Sequence, residues 1–158
     1  MMEKLVEQII QKAEEASSLY HRLVILALPS GSGKTAALRI VHDRLSVPLV
    51  NVNLELSQRM LDLTERQRSL QLPRLLAEIL ASFDADTILL DNPEVLFDVA
   101  LKQDPLRLLQ GFSRNKTLVV AWNGFANGEH LIYATPDHPE YRRYSLQDFL
   151  VVTSEIGA

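Results

Sequence analysis

Cysteine is absent from all 158 residues. Its absence excludes disulfides, thiolate metal sites and a cysteine nucleophile, while leaving the redox compartment open. An excess of basic charge is also lacking. Sixteen Lys and Arg stand against twenty Asp and Glu, a formal charge of −4, so no broad positive field draws in nucleic acid. No run approaches the roughly 20 apolar residues needed to cross a bilayer. A signal peptide needs an unbroken apolar core, and Glu3, Glu7, Glu14 and Glu15 interrupt the N-terminal stretch. The four histidines, His21, His42, His130 and His138, have no metal-ligand spacing, which speaks against a zinc site. Repeats, low-complexity tracts and Gly/Ser-rich linkers are missing as well. The expectation is a soluble cytoplasmic protein without membrane contact, folded as one domain over residues 1–158.

What is present is the balance of a globular chain: 47% hydrophobic and 23% charged residues, apolar enough to form a core and too apolar for disorder. Residues 1–19 carry Leu5, Val6, Ile9, Ile10, Ala13, Ala16 and Leu19 at three- and four-residue spacing, which predicts an amphipathic helix. Leu23 to Leu28 is a continuous apolar run stopped by Pro29, the pattern of a strand buried on both faces. A helix is expected from Lys34 to Leu45, a second strand over Pro48–Asn53, and helical structure over roughly 55–82 that Pro73 divides in two. Thr87–Asp91 reads as a third strand, 104–113 as a helix, Thr117–Trp122 as a fourth strand and Leu131–Ala134 as a fifth. Residues 136–158 form a C-terminal extension, with a last helix or edge strand within Tyr144–Thr153. Strands alternating with helices predict an α/β fold of three layers around a mostly parallel, five-stranded sheet.

The informative segment is Leu28-Pro-Ser-Gly-Ser-Gly-Lys-Thr35, set between a buried strand and a helix. That is the setting of a phosphate-binding loop. Gly31 and Gly33 permit backbone angles that let successive N–H groups of Ser30, Gly31, Ser32 and Gly33 turn toward one anion. The N-terminus of the following helix adds unpaired N–H groups and a positive dipole end. Lys34 is placed to reach β- and γ-phosphates, and the Thr35 hydroxyl is a hard oxygen ligand suited to Mg²⁺. One position departs from the G-x-x-x-x-G-K-[ST] pattern: Leu28 stands where the first glycine is usual. The competing reading is a Gly/Ser turn that merely caps a helix.

Thr87-Ile-Leu-Leu-Asp91 ends an apolar strand in a carboxylate. Ligands of doubly wound sheets bind at the carboxyl ends of the strands, so Asp91 is expected to face the loop and hold Mg²⁺ with Thr35. Asp91-Asn92-Pro93 is also an ordinary turn sequence. Hydrolysis needs a group that orients or deprotonates water. The residue directly after Asp91 is Asn92 rather than Glu, which leaves Glu94 and Glu55 as candidates, each equally readable as a solvated surface acid. Asn123, at the end of the fourth strand, is either a γ-phosphate contact or a turn residue before Gly124. Arg114, Arg142 and Arg143 are candidates to touch a phosphate from a neighbouring chain or on a nucleic-acid backbone. The Tyr141–Tyr144 cluster is weak support for DNA contact.

The loop, Asp91 and Asn123 together resemble the additional-strand, conserved-glutamate branch of P-loop NTPases, to which AAA-type ATPases belong. The resemblance covers roughly residues 1–135. It implies a central parallel sheet with the added strand between the first and third, and a helical lid for which this chain has no room. The small size and the segment Leu131-Ile-Tyr-Ala-Thr-Pro-Asp-His-Pro-Glu-Tyr-Arg-Arg-Tyr144 resemble the small P-loop protein of type 3 bacteriophage exclusion (BREX) systems. That resemblance implies a bacterial protein acting in anti-phage defence beside larger partner proteins. The expected function is ATP·Mg²⁺ binding with weak ATPase activity, with a homo-oligomer left open. The alternatives are a non-hydrolysing nucleotide switch, favoured by Asn92, and a small-molecule kinase, disfavoured because no arginine-rich lid separates the third and fourth strands.

Overall fold

A computed structural model describes residues 2–153; residue 1 and residues 154–158, the outermost parts of the expected helical segment and C-terminal extension, lie outside the described residues. Helix α1 (Met2–Ala16) is followed by β1 (Leu23–Leu28), α2 (Lys34–Leu45), β2 (Leu49–Asn51), α3 (Val52–Met60), α4 (Glu65–Ala81) and β3 (Thr87–Asp91). A 3-10 turn spans Pro93–Phe97. Then come α5 (Pro105–Phe112), β4 (Thr117–Ala126), β5 (His130–Tyr133), β6 (Arg142–Ser145) and β7 (Leu150–Thr153). Among the described residues no helix is long and apolar enough to cross a membrane.

Five parallel strands form the main sheet in the order β2-β3-β4-β1-β7. All six residues of β1 are buried, and the strand divides them by parity. Val24, Leu26 and Leu28 join α1 and α2 on one face, while Leu23, Ile25 and Ala27 join α3, α4 and α5 on the other. Alternation of a pleated strand sends neighbours to opposite sides, so an unbroken apolar run is what a strand covered on both faces requires. The outcome is the expected α/β fold of three layers, with β4 inserted between β1 and β3 and no separate lid domain among the described residues.

Several sequence expectations are corrected. Pro73 does not divide the 55–82 stretch; it lies inside α4. A proline has no N–H for the carbonyl four residues back, here that of Ser69, and the Gln103 side chain donates to that carbonyl instead at 2.8 Å. The break falls at Leu61–Leu63. There the Arg68 guanidinium donates to the Leu61 and Leu63 carbonyls, and Thr64 with Gln67 forms a reciprocal capping box that restarts the helix. Strand β2 is only three residues long, because Val52 and Asn53 already belong to α3.

The sheet has seven strands rather than five. The expected fifth strand over Leu131–Ala134 is present as β5 (His130–Tyr133); it runs antiparallel to the end of β4, and β6 runs antiparallel to β5. The physical reason is the Asn127-Gly128 turn. The Asn127 side chain accepts from the N–H groups of Glu129 and His130, which closes a hairpin. The fifth parallel strand is β7, from the C-terminal extension, seated against β1. At Gly124 a Cβ would collide with the Ile132 carbonyl. Glycine there leaves that oxygen free to accept the Trp122 indole N–H at 3.1 Å.

Candidate functional site

Strands β1, β3 and β4 bring their carboxyl ends to one edge of the sheet, and a cavity of about 280 Å³ opens there. The loop from β1 to α2 forms its floor. Gly31 has φ 81° and Gly33 has φ 90°, left-handed values that strain any side-chain-bearing residue. Gly33 is the N-cap of α2, so the first N–H groups of that helix have no intrahelical acceptor and point along the axis. Ser30, Gly31, Gly33, Lys34 and Thr35 line the cavity. Ser32 turns its hydroxyl back to the Pro29 carbonyl.

Leu28 sits where the first motif glycine is usual, and its side chain does not enter the cavity. It is buried among residues of α1 and α2, while its carbonyl accepts from Lys34 Nζ at 2.8 Å. Lys34 also donates to the Pro29 carbonyl at 2.8 Å. Only 8% of Lys34 is exposed. Burial pushes its ammonium below the ordinary lysine value, against the opposing pull of the nearby Glu94 and Asp91 carboxylates. The result is a desolvated cation held over the loop by two carbonyl dipoles.

Thr35 Oγ1 donates to Asp91 Oδ2 at 2.7 Å, joining the start of α2 to the end of β3. Asp91 Oδ1 accepts the Asn92 N–H at 3.0 Å. A hydroxyl beside a carboxylate at the foot of a phosphate-sized cradle is the hard-oxygen pair that suits Mg²⁺. Among the described residues there is no group of three or more His, Cys, Asp or Glu able to hold a metal unaided. The donor set therefore fits a cation that brings phosphate oxygens and water as its remaining ligands.

Glu94 and Asn123 meet in the same cavity. The Asn123 amide donates to Glu94 Oε1 at 2.7 Å, and both residues line the cavity. Behind them Phe97 stacks on Tyr133 at 3.5 Å between ring centres, with Trp122 edge-on to both. Burial, with Glu94 and Glu140 adding to it, raises the Tyr133 hydroxyl far above its ordinary value.

Glu55 is not brought to the cavity. It lies on α3, paired with Arg59 at 2.8 Å and partly exposed. The arginine candidates are elsewhere too: Arg114 lies over the Tyr20 ring at 4.7 Å, Arg142 donates to the Gln103 carbonyl, and Arg143 meets His130. Two lining residues escaped the sequence reading as site members, Ala121 and Asn92. For Asn92 a signal existed: asparagine tolerates left-handed backbone better than most residues.

No protein-family model and no curated protein matches the chain. Among solved structures, "Structure of C. elegans PCH-2" is 16% identical over 80% of this chain and 39% of that one, with a TM-score of 0.46. This chain thus spans well under half the length of the structure that it matches. At that level the likeness carries no argument about activity, which is taken from the site alone.

Proposed function

We propose that the chain binds a nucleoside triphosphate, taken as ATP, together with Mg²⁺, and hydrolyses it slowly. The observation that carries this reading is the joining of Lys34, the Thr35–Asp91 pair and the Glu94–Asn123 pair in one cavity at the head of β1, β3 and β4. The loop N–H groups and Lys34 neutralise the β- and γ-phosphates. Thr35 and Asp91 would hold the metal ion, which would supply further positive charge to the phosphate oxygens. Glu94 accepts a proton from water as the water oxygen bonds to the γ-phosphorus and the bond to the β–γ bridging oxygen breaks, leaving ADP and phosphate. Asn123 steadies the Glu94 carboxylate.

The second reading is a nucleotide switch that does not hydrolyse. What favours it is Asn92 in the position after the strand aspartate, with Glu94 already engaged by an amide. The setting that we propose for either reading is a bacterial anti-phage complex with larger partners, supported by the resemblance of residues 131–144.

Thermal melts test the binding claim. ATP·Mg²⁺ at about 100 times its dissociation constant stabilises a one-site binder by roughly 2.7 kcal/mol. A melting temperature indifferent to nucleotide overturns both readings. Phosphate release by the full chain, alone and with co-purified partners, then separates them: binding without release leaves the switch.

A further inference from the structure

Asn92 is one of five non-glycine residues with positive φ among the described residues, and of those five only Asn92 lines the cavity. Its φ and ψ are 52° and 56°, left-handed values that cost an ordinary side chain. Strained backbone persists where its surroundings hold it, and here hydrogen bonds on both sides of the residue do so. The Asn92 N–H is spent on Asp91 Oδ1, and its carbonyl accepts the Asn53 N–H at 3.0 Å. Pro93 follows, and the clash of its ring with the preceding residue disfavours the right-handed helical region at Asn92. The chain therefore turns sharply on leaving β3. The 3-10 turn Pro93–Phe97 begins at once, and Glu94, in its first turn, arrives 2.7 Å from the Asn123 amide.

We propose that Asn92 is the positioning residue of the site. Its left-handed backbone, rather than its side-chain amide, moves the water-activating carboxylate from the residue directly after the strand aspartate to Glu94. A side chain intolerant of φ near +50° at this position would relax the turn and withdraw Glu94 from the cavity, while leaving Lys34 and Thr35 in place and Asp91 still tied to Thr35 through Oδ2. This inference rests on the reading of Glu94 as the group that acts on water.

The test compares Asn92→Gly, Asn92→Ala and Asn92→Val in the full chain, with ATP·Mg²⁺ affinity and phosphate release measured for each. Glycine adopts left-handed backbone freely, so Asn92→Gly keeps most of the wild-type kcat. Asn92→Val, β-branched, loses about tenfold or more in kcat with a much smaller change in nucleotide affinity, since the general base is displaced while Thr35 still holds Asp91. Asn92→Ala falls between. Should the valine variant fail to fold, the alanine–glycine pair decides. Equal kcat across the series overturns the proposal, and so does a glycine variant as impaired as the valine one, because the amide would then be what matters. A wild type that does not bind ATP·Mg²⁺ removes the underlying reading as well. A wild type whose release is sensitive to Glu94→Gln, beside a flat Asn92 series, removes this inference alone.

Discussion

Strands β2 and β3 end level with each other, Asn51 opposite Asp91 in the ladder, yet the chain leaves them in contrasting ways. Asn51 has ordinary extended angles and caps a regular helix through the Leu54 N–H. Val52 enters that helix immediately, and the helical turn carries Glu55 to a partly exposed position where Arg59 pairs with it. Asp91 is followed by a left-handed Asn92 and by Pro93, so a tighter 3-10 turn forms and carries Glu94 into the cavity. Both acids lie a few residues beyond a polar strand end, and counting along the chain does not separate them. One backbone conformation does. The two exits are even fastened to each other, since the Asn53 N–H donates to the Asn92 carbonyl.

The contrast is sharpest in turnover. Glu94→Gln is expected to lower phosphate release by about 100- to 10,000-fold, the usual worth of a general base, with nucleotide affinity kept. A loss of that size in Glu55→Gln instead would invert the comparison. Lys34→Ala comes next. It removes the buried cation, and the stabilisation of roughly 2.7 kcal/mol by excess ATP·Mg²⁺ disappears from the melting curves; persistence of the shift would mean that the phosphates bind elsewhere. Asn51→Ala deletes only a helix cap and is expected to cost about 1 kcal/mol of stability, read by denaturant unfolding, with kcat untouched. The smallest effect belongs to Glu55→Gln: an exposed ion pair contributes at most about 1 kcal/mol, so both melting temperature and turnover stay close to wild type.

Much of the fold could be read from local patterns. The apolar runs of β1 and β3, and the first six residues of β4, are strands covered on both sides, and their composition says so directly. The helix spacing of Val6, Ile9, Ala13 and Ala16 likewise matches the buried face of α1. Two other features need more than hydrophobic spacing. Pro73 looks like a helix break until Gln103, thirty-four residues from Ser69, fills the vacant hydrogen bond. The β5 segment reads simply as a fifth strand; the Asn127-Gly128 turn is what folds it back, antiparallel, onto β4. The second was visible in the sequence, as Asn-Gly between two apolar segments is a hairpin signal; the first was not.

The candidate site divides in the same way. A phosphate loop is a local object: Gly31, Gly33 and the helix N-terminus lie within a few residues of one another, and their backbone requirements are written in their identities. The Thr35–Asp91 pair spans 56 positions and the Asn123–Glu94 pair 29. Residue types led to the expectation that Thr35 and Asp91 share a metal ion, but offered Glu94 and Asn123 only as separate candidates.

By itself, then, the order of residues determined the buried central strands, which loop can cradle an anion, and which chemical groups the chain has to offer. The tertiary structure alone decided that Glu94 and not Glu55 faces the cavity, and that β7 rather than β5 completes the parallel sheet. The physical reason is range: hydrophobic spacing and glycine torsions act over a handful of residues, whereas the direction of a side chain beyond a strand end depends on how the backbone turns there and on which distant groups hold that turn.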